Sequence, residues 1–150
     1  MSLHSYSKCW LHLIWATLDR EHSLADKEIQ KKVSNYLFEY CVAKNIYMKK
    51  NHVNSEHIHA LIDLPTHISI EELMHLLKGS SSHWINQNRL CMTKFNWGRG
   101  YAALSVSESA LEKVLKYIDG QDEHHRKKSF SEEYESFINA YGMKYLAELD

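Results

Sequence analysis

The feature that most constrains this chain is the order in which its hydrophobic period changes. Residues 8–18, KCWLHLIWATL, are nearly continuous in apolar and β-branched or aromatic types, which predicts a central strand. The next segment places Ile29, Val33, Tyr36, Leu37 and Tyr40 at the spacing of an amphipathic helix. Residues 45–52 return to strand character, and a turn near Asn54-Ser55 leads into a third strand, EHIHALIDL. A second helix starts at the capping pair Ser69 and Glu72, with Ile68 and Leu73 at the staple positions, and keeps its period through residue 85. Gly79 interrupts that pattern, at a cost of about 1 kcal/mol relative to Ala, and marks an expected close approach of backbone or ligand. A fourth strand at 100–107, a third helix from about Ser107 to Gln121, and a short helix from Ser129 to near Gly142 complete the chain. The order β-α-β-β-α-β-α predicts an α+β fold: a ferredoxin-like antiparallel sheet with helices packed on it, plus a C-terminal helical tail. Nothing reads as a linker, so residues 1–150 are expected to form a single domain.

Composition narrows the function classes. At 44% hydrophobic and 25% charged, the chain reads as soluble and globular, and its longest apolar runs fall far short of a membrane span. Cys9, Cys41 and Cys91 are scattered and odd in number, which excludes a disulfide framework or a CxxC zinc pair. With no signal pattern in MSLHSYSKCW, the expected setting is the cytoplasm. A net charge of −1 argues against binding nucleic acid by bulk charge alone. Eleven histidines are the first sign of site chemistry.

Two short segments carry that chemistry. In Glu56-His57-Ile58-His59-Ala60-Leu61-Ile62, strand alternation points His57 and His59 to one face and Ile58, Ala60 and Ile62 to the other. Two imidazoles so placed suit one cation, though they also suit an ordinary polar face. In the third helix, Leu111, Val114, Leu115 and Ile118 form the core stripe. Tyr117 lies roughly 110° from its centre, and Gln121 is one turn further on the same flank. That places the Tyr117 hydroxyl at an edge or cleft, as a nucleophile or as a tyrosine snorkelling at the helix border. A phenol with a pKa of about 10 is a weak nucleophile at neutral pH. A cation on phosphate oxygens would stabilise the charge that builds during its attack. Two imidazoles and the Gln121 carboxamide would hold such a cation without adding negative charge to it.

Taken together these segments resemble the single-tyrosine HUH transposases of the smallest bacterial insertion sequences, the IS200-like family. The resemblance rests on His57-Ile58-His59, on His12-Leu13-Ile14-Trp15, and on Leu77-Lys78-Gly79-Ser80-Ser81-Ser82. It also rests on Trp97 through Tyr101, on Tyr117-Ile118-x-x-Gln121, and on the following His124-His125-Arg126-Lys127-Lys128. It implies a homodimer that binds hairpin-ended single-stranded DNA, with Mg²⁺ or Mn²⁺ at the histidine pair. It also implies that Tyr117 attacks the scissile phosphate, leaving a 5′-phosphotyrosine link and a free 3′-hydroxyl, and that His57, His59 and Gln121 are metal ligands. One departure is Thr17-Leu18-Asp19-Arg20, where many relatives carry a further lysine.

Lys78, Ser80, Ser81, Trp97, Arg99, Tyr101, Arg126 and Lys127 are candidate DNA contacts, with an ordinary polar helix face the alternative for Lys78, Ser80 and Ser81. Lysine and hydroxyl groups commonly meet phosphates, and loop aromatics such as Trp97 and Tyr101 can stack on unpaired bases or plug the edge of a core. His124 would share the flank of Tyr117 and Gln121 if the helix continued through Gly120. Two other readings stay open: a domesticated relative that binds hairpins without cutting, and a ferredoxin-like module that binds a metal and performs no chemistry.

Overall fold

The structure, a computed structural model, describes residues 5–145, without the side chains of His124 and Arg126. Four strands form one antiparallel sheet: β1 (Trp10–Ala16), β2 (Tyr47–Val53), β3 (His57–Asp63) and β4 (Ala102–Val106). Their spatial order is β2-β3-β1-β4, so β1 takes a central place as expected, with β3 beside it. This is the ferredoxin-like arrangement.

Helices cover both faces. On one lie α1 (Lys27–Ala43) and α2 (Ile70–Gln87), and on the other α3 (Leu111–Asp119), the short α4 (Gln121–Lys127) and α5 (Phe130–Ala140). Each of the three longest has an acceptor at its start. Asp26 accepts from the amides of Glu28 and Ile29, Ser69 from that of Glu72, and Ser129 from that of Glu132.

The alternation of β1 and β3 sorts their side chains cleanly. Leu11, Leu13, Trp15, Ile58, Ala60 and Ile62 pack with Val33, Leu37, Leu73, Met74 and Leu77 of α1 and α2 into the main core. On the opposite face two smaller apolar clusters form. Trp10, Leu61, Leu111 and Ile118 make one under α3, and Ile14, Ala102, Leu104 and Phe130 the other under α5. A strip of polar side chains runs between them.

Two sequence expectations need correction. The third helix does not run unbroken to Gln121: it ends at Asp119 with Gly120 as its cap, and the chain restarts as α4. And Gly79 marks no close approach of backbone, since a Cβ there would meet no described protein atom within 4 Å. The tight glycine is Gly98, where a Cβ would lie 3.0 Å from the Thr17 carbonyl oxygen. Its amide donates to the Ala16 carbonyl at 2.8 Å, tying the loop before β4 to the end of β1.

Candidate active site

Strand register brings the histidines together. In β1 and β3, Ile14 pairs with His59 and Ala16 with His57, so His12 shares their face. The Nε2 of His12 lies 2.8 Å from the Nδ1 of His59. The rings of His57 and His59 are 5.0 Å apart, and both residues are fully buried. His57 Nδ1–H donates to Glu56 Oε1 at 2.6 Å, and its Nε2 faces Asn54 Nδ2 at 3.1 Å. A carboxylate on the far nitrogen fixes the ring and leaves Nε2 as the acceptor, the usual disposition of a metal-binding histidine.

The break at Gly120 shapes the other wall. Tyr117 projects from the flank of α3, its ring 5.9 Å from that of His59. Its hydroxyl donates to Glu133 Oε2. Gln121, fully buried at the start of α4, donates to the same oxygen at 3.4 Å, while its own Oε1 accepts from Asn54 Nδ2 and lies 3.0 Å from His125 Nε2. Thus Tyr117, Gln121, His57 and His59, named separately from two segments, lie around one point.

At that point sits Glu133, which sequence reasoning missed. The residue is 3% exposed, and its Oε1 lies 3.1 Å from His59 Nε2, 3.5 Å from His57 Nε2 and 3.6 Å from His125 Nε2. A glutamate in an amphipathic tail helix reads as an outward residue. The available signal was its position on the apolar stripe of α5, three residues after Phe130 and four before Phe137. His125, one turn on from Gln121 in α4, joins the cluster, and the side chain of His124, the histidine expected on that flank, lies outside the described residues.

Burial and charge set the protonation of the cluster. Burial lowers the pKa of His12 to about 3 and that of His59 to about 4, so both are neutral near pH 7. His125 is raised, chiefly by its hydrogen bond to Glu133. Burial opposes ionisation of Glu133, but its contacts with the surrounding imidazoles, the hydrogen bond from His125 first, outweigh it and hold the carboxyl well below its usual range. Tyr117 is pushed up, first by burial and then by Glu133, so its phenol is held protonated in this arrangement.

The donor set fits a divalent ion. One ligand atom each from His57, His59, His125 and Glu133 lie within 4.8 Å of one another. Adjacent donors on an octahedral ion with bonds of about 2.1 Å are about 3.0 Å apart, near the 3.1 to 3.6 Å that separate Glu133 Oε1 from the three imidazole nitrogens. Imidazole nitrogens with a carboxylate suit borderline-to-hard divalent cations. The Glu133 carboxylate departs from the all-neutral ligand set expected from sequence.

The candidate DNA contacts divide. Lys78 Nζ donates to the carbonyls of Gly98 and Gly100 at 2.8 and 3.1 Å, so it pins the loop before β4. Ser81 is buried; its hydroxyl donates to the Leu77 carbonyl at 2.6 Å and accepts from Trp97 Nε1 at 2.9 Å, so it is not presented to a phosphate. Ser80 points back to the same carbonyl at 3.4 Å. Trp97 meets Phe95 edge-on at 4.7 Å and serves as a plug at the core edge, not an open stacking platform. Arg99, Tyr101 and Lys127 are exposed, and Lys127 lies 3.9 Å from Glu123. Arg126 lies on α4 with its side chain outside the described residues.

Two hollows flank the cluster. An open cleft of about 790 Å³ reaches Asn54, Glu56 and His125, and a cavity of about 320 Å³ lies between Trp15, Arg20, Arg99 and Tyr134. Phe130, stacked on His57 at 3.9 Å, borders both.

Comparison with known proteins places this geometry. The family model described as "Transposase IS200 like" matches residues 5–121. Transposases for insertion sequence element IS200 from Salmonella typhimurium and Salmonella typhi are each 27% identical over 124 residues, covering 79% of this chain and 80% of theirs. Among solved structures, one described as a transposase from Deinococcus radiodurans matches with a TM-score of 0.64 at 23% identity, covering 81% of this chain and 96% of that one. A REP-associated tyrosine transposase bound to a REP hairpin matches with a TM-score of 0.60 at 13% identity, covering 83% and 74%. Both structures share the fold. Among the described residues, no helix is long and apolar enough to cross a membrane.

Proposed function

This chain belongs to the IS200-like transposase family, and from that membership we propose that it cleaves and rejoins single-stranded DNA at hairpin-marked element ends with Tyr117 as the nucleophile. The observation that carries the reading is the convergence of the Tyr117 hydroxyl, Gln121, His57 and His59 on one buried carboxylate, Glu133. An anion held by those groups marks where a phosphodiester would have to sit. That one structure of the same fold is bound to a REP hairpin supports hairpins as the substrate class.

In this proposal the Tyr117 oxygen bonds to phosphorus and the P–O3′ bond breaks. The phenol proton ends, through water, on the departing 3′ oxygen, so the step is balanced without outside energy. His57, His59 and Gln121 would hold Mg²⁺ or Mn²⁺, which supplies electrostatic stabilisation of the phosphate charge. The backbone of α3 and α4 fixes the distance between Tyr117 and Gln121, and Glu56 and His12 orient the rings of His57 and His59. Because His57, His59 and Gln121 are fully buried, a DNA strand reaches them only after α5 has moved off the site. We propose further that the enzyme acts in the cytoplasm as a homodimer, which light scattering of the purified chain would test.

The experiment uses a single-stranded oligonucleotide taken from the DNA flanking the gene, hairpin included and labelled at its 3′ end, incubated with Mg²⁺ or Mn²⁺. The expected result is a covalent protein–DNA adduct that disappears in Tyr117→Phe and with chelator. An adduct that persists in Tyr117→Phe contradicts the assignment. Hairpin binding without any adduct would favour the domesticated binder.

A further inference from the structure

The α5 helix supplies the least expected member of the site, and it lies beyond residue 121, where the family match ends. Its hold on the sheet is extensive. Phe130 stacks on His57, Phe137 meets both Tyr117 and His12 edge-on at 5.2 Å, and Arg20 bonds Ser131 and lies over the Phe130 ring. Inside that contact, Glu133 is a carboxylate removed from water and surrounded chiefly by imidazoles. A second carboxylate, Glu56, stands behind His57. Buried carboxylates need compensating positive charge.

We infer that Glu133 is itself a metal ligand, completing with His57, His59 and His125 a divalent-cation site that fastens α5 to the sheet. The inference rests on the proposed metal-assisted function and deepens it. Three features separate Glu133 from Gln121 as the protein's oxygen donor in this arrangement. Glu133 Oε1 faces the Nε2 atoms of three histidines at 3.1 to 3.6 Å. The Gln121 Oε1 instead accepts from Asn54 Nδ2 at 3.4 Å. And a carboxylate offsets the charge of a divalent cation, which a carboxamide does not.

The supporting shell agrees with that role. With His59 Nε2 on the ion, its Nδ1–H donates to His12 Nε2; with His57 Nε2 on the ion, its Nδ1–H keeps the bond to Glu56. The other oxygen of Glu133 keeps its bond from Tyr117. The ion and the nucleophile are therefore joined through one side chain of the tail helix, and α5 and the site respond together.

The test titrates DNA-free, full-length protein with Mn²⁺, following loss of the free-ion paramagnetic resonance signal, and repeats amide hydrogen exchange across residues 130–140 with and without the ion. One Mn²⁺ per chain is expected. Glu133→Gln should weaken it at least as much as loss of an outer partner of a ligand does, about tenfold, whereas Glu132→Gln, at the exposed neighbouring position, should not. In the unaltered protein Mn²⁺ should slow exchange in α5. If Glu133→Gln binds Mn²⁺ as tightly as the unaltered chain while His57→Ala does not, the inference fails and the proposed function stands. If His57→Ala also binds normally, the metal reading of the site fails with it. Unchanged exchange in α5 on Mn²⁺ binding overturns the inference without any variant.

Discussion

The two faces of the central sheet are built from the same two strands, one residue out of step. Beneath α1 and α2, β1 and β3 present Leu11, Leu13, Trp15, Ile58, Ala60 and Ile62 to a continuous apolar core. Beneath α3 and α5, they present His12, His57 and His59 between two small apolar clusters. The first face can supply most of the folding free energy because large side chains are wholly removed from water on it. The second has less apolar area and holds a network of imidazoles and carboxylates whose worth depends on every partner being satisfied. The period-2 alternation of a strand thus lets adjacent residues serve stability and chemistry separately, and it places the reactive groups on a rigid central platform instead of a loop.

That separation can be broken or sharpened by substitutions at neighbouring positions. The largest effect is expected from Leu13→Ala, which should cost about 2–5 kcal/mol in denaturant unfolding while the protein that remains folded binds Mn²⁺ normally. Loss of the metal site along with the core would show that the faces are coupled. His12→Ala, one residue earlier, should do the converse. It removes the partner of His59 Nδ1 and should weaken Mn²⁺ by about tenfold, with less loss of stability than Leu13→Ala. The smallest effect is expected at Gly79 on α2, where a methyl group has open space. Gly79→Ala should stabilise the chain by about 1 kcal/mol and leave metal binding unchanged, as read by denaturant titration beside the Mn²⁺ assay.

Much of this was legible in the sequence, for identifiable reasons. The alternation in β3 put His57 and His59 on one face, while His12 joined them only through the strand register, and the capping serines at 69 and 129 located two helix starts. The flank position of Tyr117 and Gln121 followed from helical spacing and needed only residues within one turn of each other. What stayed hidden depends on contacts distant in sequence. Glu133 is 74 residues from His59, and its inward orientation follows from how α5 docks, which local periodicity cannot specify. His125 stayed hidden for the same reason, since it is the buried Glu133 carboxylate that it meets in the cluster. Lys78, Ser81 and Trp97 looked like ligand contacts because polar and aromatic residues beside glycines serve both recognition and loop anchoring. Here they are joined to one another, to Leu77 and to the backbone of the loop before β4.

The central claim is that the phenol of Tyr117 is the group that becomes joined to DNA beside the His57–His59 pair. Mass spectrometry of the proteolysed adduct tests it directly. The account predicts a phosphodeoxynucleotide attached within the peptide that contains Tyr117, at that residue. Attachment at Tyr134, Tyr141 or any other side chain would contradict it.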